Sequence, residues 1–139
     1  RIGPSQSKGG LMPRVSAAFF ALGVVCVLIG MVFGMWMGAS QDFAAAPAHA
    51  HLNLLGWVTM GLFGTFYALT PQTFCPRLAW SNFALSALGV VVMVPFLALM
   101  LINGDDPAYE PGVTAGSIIS FLSMAVFAVS AFRELVRAR

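Results

Sequence analysis

The sequence predicts an all-α integral membrane protein of four transmembrane helices, and three observations carry that prediction. Hydrophobic residues make up 59% of the 139 positions and charged residues only 9%, a composition too poor in charge for the exterior of a water-soluble domain. Four apolar runs, at residues 15–38, 48–69, 78–102 and 112–136, each match or exceed the roughly 20 residues that span a bilayer. The charges fall between the runs or at their ends. Lys8, Arg14, Arg77, Arg133, Arg137 and Arg139 occupy the tails and one short loop, whereas Asp42, Asp105, Asp106 and Glu110 occupy the other two loops. The positive-inside rule then puts both termini in the cytoplasm, and the expected site is the bacterial inner membrane. A formal net charge of +2 is too small to suggest nucleic acid as a partner; the lipid bilayer is the expected one. The whole chain reads as a single four-helix domain.

Residues 1–13 form a Gly-, Ser- and Pro-rich lead-in. The first apolar run is too long for a signal peptide and lacks a small-residue cleavage site. Cys26 falls in its middle and Cys75 in a predicted cytoplasmic loop; different depths and a reducing setting make a disulfide unexpected. Gly30, Gly34 and Gly38 form a small-residue face that lets another helix, or a flat cofactor, approach the backbone. Pro47 is well placed to start the second helix, which Gly56, Gly61 and Gly64 keep slim. Tyr67 is predicted at the cytoplasmic interface as an anchor. Residues 70–77 read as a tight turn held by Pro71 and Pro76, and Pro95 is predicted to kink the third helix. The loop 103–111 is acidic and turn-forming. In the fourth helix, Ser117, Ser120 and Ser123 are expected to bond back to their own helix or to a neighbour. Between the interfaces there is no Asp, Glu, Lys or Arg, which argues against a proton pump or an ion-coupled transporter.

The candidate site is the mouth of the second helix. His49 and His51 are the only histidines in the chain, and imidazole is a good ligand for iron, copper or zinc. Residues two apart on an α-helix point about 200° away from each other. The two rings therefore address two pockets rather than one ion, unless the first turn unwinds. The alternative for each is an unliganded ring in the wet interface. His51 is the stronger ligand candidate because it lies deeper and is followed by Asn53.

His51-Leu52-Asn53-Leu54-Leu55, then Gly61-Leu62-Phe63-Gly64, Phe66-Tyr67 and Pro71, resemble the second transmembrane helix of nitric oxide reductase catalytic subunits, within the heme–copper oxidase superfamily. The resemblance covers about 21 of the 139 residues. It implies a low-spin heme b ligated by the helix-two histidine near the outer face, and hence an electron-transfer role with a redox partner. In that family twelve helices form three four-helix arcs, so a homotrimer of this chain would rebuild the plan with true threefold symmetry. His49-Ala50-His51 also resembles a His-x-His pair there whose rings ligate different hemes. The resemblance thus implies a heme held by His49 of one subunit and His51 of its neighbour. Gly30, Gly34 and the glycines of helix two would make room for the porphyrin, with Trp57, Phe63 and Phe66 packed against it. Asn53, Trp36, Gln41 or Asn103 would bond the propionates. The departures are a lack of further histidines for a copper centre, of a His-Tyr pair and of an outer-loop arginine. They count against oxidase activity and leave open whether the chain is an oxidoreductase at all. A non-heme copper or zinc site, or a cofactor-free assembly subunit of a respiratory complex, are the competing readings.

Overall fold

The computed structural model describes residues 11–137; Lys8, most of the lead-in and Arg139 lie outside the described residues. Four long helices follow one another: α1 (Arg14–Ser40), α2 (Ala46–Leu69), α3 (Pro76–Ile102) and α4 (Glu110–Arg137). A 3-10 turn at Pro107–Tyr109 leads into α4. Each of the four is long and apolar enough to cross a membrane. The chain is thus an integral membrane protein in contact with lipid. The helices start one or two residues before the apolar runs. Pro47, Pro76 and Pro111 stand in the opening turns of α2, α3 and α4, where a missing N–H goes unmissed and a fixed φ suits the helix. Pro95 lies inside α3, which continues on both sides of it.

Short connections make successive helices antiparallel, and the charges sort with them. Arg14, Arg77, Arg133 and Arg137 collect at one end of the bundle, and Asp42, Asp105, Asp106 and Glu110 at the other. At the basic end, Thr73 donates to Glu134 (2.7 Å) and the Arg137 guanidinium donates to the Thr73 carbonyl. These bonds tie the α2–α3 turn to the end of α4. At the acidic end, Asp106 accepts from the Ala108 N–H (2.9 Å) and starts the 3-10 turn.

The helices pack as an arc. α1 lies on α2, α2 on α3, and α4 packs chiefly on α3. Two glycine-lined seams bring the pairs close. Along α1–α2, a Cβ on Gly56 would stand 2.7 Å from Cys26 Cβ, and one on Gly64 would stand 3.2 Å from the Ser16 carbonyl oxygen. Along α3–α4, Gly89 faces Ser120, Gly112 faces the Phe96 ring, and a Cβ on Gly116 would meet Met93 N at 2.5 Å. This second seam of small residues lets the backbones meet.

The aromatic packing is concentrated toward the basic end. Phe19 meets Phe63, Tyr67 and Phe83 at ring-centroid distances of 5.7, 5.9 and 5.2 Å, and Phe127 of α4 packs on Phe63 at 4.3 Å. Tyr67 is the main correction to the sequence reading. Instead of anchoring at an interface it is wholly buried, because a polar partner awaits its hydroxyl inside the bundle. Asn82 Nδ2 donates to Tyr67 Oη (3.2 Å), and Tyr67 Oη donates to Ser130 Oγ (3.4 Å). Asn82 Oδ1 in turn accepts from Ser123 Oγ (2.8 Å), and Ser123 and Ser86 share a hydroxyl–hydroxyl bond of 2.6 Å. A polar chain thus joins α2, α3 and α4 inside an apolar bundle, where each lost bond is costly.

Candidate functional site: the histidine end of α2

α2 is not uniform. Ala46–Asn53 is α-helical, Leu54–Thr59 is π-helical, and Met60–Leu69 returns to α. The wider segment begins immediately after Asn53, and π-helical insertions concentrate at functional sites. Thr59 Oγ1 donates across it to the Leu54 carbonyl (2.8 Å).

His51 is exposed on the outer face of the helix. Its Nδ1 lies 2.7 Å from the Pro47 carbonyl oxygen. A carbonyl only accepts, so the contact assigns the proton to Nδ1 and leaves the Nε2 lone pair free on the far side of the ring. Metal-binding imidazoles are held in the same way, by a second-sphere acceptor that fixes tautomer and orientation. Leu54, Val58 and Leu62 continue from His51 along α2 and are 58%, 46% and 64% exposed, an apolar stripe beneath the ring.

His49 faces the other way, into the groove between α1 and α2, and is partly buried. Its ring meets Phe33 edge-on at 6.0 Å. The Asn53 amide nitrogen donates to the His49 carbonyl (2.9 Å) and lies 3.3 and 3.5 Å from Nε2 and Nδ1 of the ring. The divergence expected from helix geometry is present, but the order of burial is reversed: the ring nearer the helix mouth is the sheltered one. The face of the helix, not the distance from its end, decides which histidine meets α1.

The small-residue face of α1 is occupied by this same pair. A Cβ on Gly30 would stand 2.5 Å from Asn53 Oδ1, and one on Gly34 would stand 3.0 Å from His49 Cε1. Within one chain the two glycines therefore receive α2 side chains, with no slot between α1 and α2 for a porphyrin face. Trp57 packs its indole against Gly23, whose Cβ would lie 3.2 Å from Trp57 Cε3, and is 37% exposed. The sequence reading found the histidines and the α1 glycines. It missed that Asn53 serves His49 rather than an outer ligand, and that a π-helical segment follows; neither has a signal in composition or periodicity.

Among the described residues no group of three or more His, Cys, Asp or Glu side chains could hold a metal ion. Cys26 and Cys75 are free. Cys75 stands at the N-cap of α3. The backbone N–H of Leu78 in the first turn of α3, helped by the Arg77 N–H and by the Arg133 and Arg77 charges, holds the thiol below its usual value against the opposing effect of partial burial.

No protein-family model matches the chain, and no solved structure matches it. The chain is similar to the heme-copper oxidase subunit I+III of Aeropyrum pernix, with 31% identity over 149 aligned residues. The match takes in 94% of this chain and 18% of that protein, so the chain spans under a fifth of its relative. The similarity reaches well beyond the second helix, to which the motif resemblance was confined. It supports a distant relationship between this four-helix membrane chain and a heme–copper oxidase subunit.

Proposed function

We propose that the chain is a membrane heme b protein that carries electrons, with His51 as an axial ligand. The observation that carries this reading is the His51 ring. Its Nδ1–H is bound to the Pro47 carbonyl at 2.7 Å, and its Nε2 is free above an exposed apolar stripe. A zinc or copper site made only of protein takes three or four converging donors, and no group of three or more His, Cys, Asp or Glu forms among the described residues. A heme brings four equatorial nitrogens of its own and asks the protein for one or two imidazoles. The donor set therefore suits heme better than a bare ion. The similarity to a subunit named for heme and copper supports the same reading.

The heme would supply one-electron redox chemistry, and the chain would bind it, orient it and exclude water from one side. His51 lies on the outer surface of the single chain, so the second wall of the pocket comes from another copy. A homotrimer of these arcs supplies that wall, and His49 of the neighbour is the candidate second ligand. To reach an iron, His49 must turn out from beneath Asn53. Gly30 and Gly34 then act indirectly, by seating Asn53 and His49, and Trp57 is the exposed aromatic nearest in sequence to the stripe. The basic end faces the cytoplasm in this reading and the histidine end faces outward, in the inner membrane of a bacterium-like cell. If the chain has a catalytic role, it is as part of an oxidoreductase with a redox partner.

The test is the absorption spectrum of purified protein. Sharp α and β bands on reduction, lost in His51→Ala, are the expected result. A colourless protein without iron sinks the proposal in favour of an assembly subunit; bound copper or zinc without heme favours the bare-ion site. Mass measurement in detergent reads the trimer, and a monomer that keeps its heme removes the shared pocket.

A further inference from the structure

We infer that the interior of the bundle binds water at one defined position, between Ser120 of α4 and Ser86 of α3. A cavity of about 30 Å³ lies there, lined by Ser86, Ser120, Ser123, Thr59 and apolar neighbours that include Leu55 and Phe63. A water needs roughly 10–15 Å³ of such space and two or more polar partners. The volume is sufficient for one molecule and leaves room for about a second.

The polar partners are present and one of them is unsatisfied. Ser120 Oγ is buried and makes no hydrogen bond with any protein atom. It lies against Gly89, where any side chain would collide with it, so the glycine admits the hydroxyl to the seam. A hydroxyl left unpaired in an apolar bundle costs about 1–3 kcal/mol, which a water molecule removes. Ser86 Oγ, bonded to Ser123 Oγ at 2.6 Å, still has a free lone pair to accept from that water. The water therefore accepts from Ser120 and donates to Ser86, joining Ser120 to the chain that runs through Ser123, Asn82 and Tyr67 to Ser130.

The placement also says what the water does not do. Asn82 enters the chain through two different atoms, Oδ1 toward Ser123 and Nδ2 toward Tyr67. An amide does not readily pass a proton between its oxygen and its nitrogen, so the chain is a hydrated brace rather than a proton wire. The π-helical segment contributes two of the lining residues, Leu55 and Thr59, which puts the water beside the irregular turn of α2.

Water-edited solid-state NMR of the full chain in liposomes tests this. Magnetisation from water should reach the Ser120 and Ser86 Cβ signals about as fast as those of the loop residues Asp42 and Asp105. Met60 and Phe19, which are fully buried, should stay slow. In Ser120→Val the added methyls fill the cavity, and the fast transfer to Ser86 should disappear; if the larger residue prevents folding, Ser120→Ala removes one of the water's two partners instead, and the transfer to Ser86 should slow. Equally slow transfer to Ser120 and Ser86 as to Met60 in the unaltered protein overturns the inference. That outcome means a dry cavity, with the Ser120 hydroxyl turned back to its own helix. Unchanged fast transfer to Ser86 in the Ser120 variants overturns it as well.

Discussion

Gly116 and Gly61 lie in different helices and should answer alanine in opposite ways. A Cβ on Gly116 would stand 2.5 Å from both Met93 N and Met93 Cβ and 2.6 Å from its Cα, whereas Gly61 has nothing within 4 Å. Ordinary contact begins near 3.4 Å, so Gly116→Ala asks α4 and α3 to separate by about 0.9 Å at that level. The atoms in the way belong to the backbone of α3, and a rotamer change cannot clear them. Overpacking of this kind costs about 1–3 kcal/mol, and the gain in helix propensity returns about 0.5–1 kcal/mol. The net expectation is a loss of up to about 2.5 kcal/mol, with further loss if the polar chain near Ser120 is pulled apart. Gly61→Ala keeps only the propensity gain and should be neutral or stabilising. Equilibrium unfolding in mixed detergent micelles, with helicity as the signal, reads both variants. If Gly116→Ala unfolds at the same denaturant fraction as Gly61→Ala, the close α3–α4 seam is not present in solution and the reasoning fails.

Other consequences are as definite. Asn82→Ala removes the donor to Tyr67 and the acceptor of Ser123 in one step, and should cost about 1–3 kcal/mol. Tyr67→Phe, which leaves Asn82 its Ser123 bond, should cost less; an equal loss in the same unfolding assay would deny that Asn82 is the hub. Asn53→Ala uncovers the His49 ring, so carbethoxylation of His49, followed by mass spectrometry, should quicken while that of the already exposed His51 stays unchanged. Cys75 should react with a water-soluble maleimide well before Cys26, which is buried. Because its thiol is held below the usual value, the thiolate is populated at lower pH than in the unfolded chain. The rate–pH curve of the folded protein should therefore lie to the acid side of the unfolded one; coincident curves would contradict the placement of Cys75 at the start of α3.

What the sequence made legible follows from the physics of the bilayer. Four apolar runs whose few charges lie at their ends must be helices, since no other open segment satisfies its backbone in hydrocarbon, and the charge map separates the two bundle ends in the structure as it does in the sequence. The 200° divergence of His49 and His51 was legible from spacing alone. Which ring is sheltered was not, because that depends on which face of α2 meets α1. Tyr67 misled for a related reason. An aromatic residue with a hydroxyl near a helix end reads as an anchor until Asn82 and Ser130, 15 and 63 residues away, supply partners inside. The α3–α4 seam was hidden because Gly89, Gly112 and Gly116 lie on two helices, and only the crossing brings them into register.

The two ends of the bundle are held together by different kinds of contact. Toward the basic end, interlocking aromatic rings and the Tyr67–Asn82–Ser123 bonds clamp α2 to its neighbours. Toward the acidic end, α1 and α2 meet at Gly30 and Gly34 through two side chains, Asn53 and His49. There Ala45, Ala48 and Leu52 are buried as well, so the histidine end of α2 is held between α1 and α3 by small and aliphatic side chains rather than by rings. Both imidazoles therefore ride on a part of the helix whose neighbours are small, where one side chain, Asn53, sets what the inner ring meets.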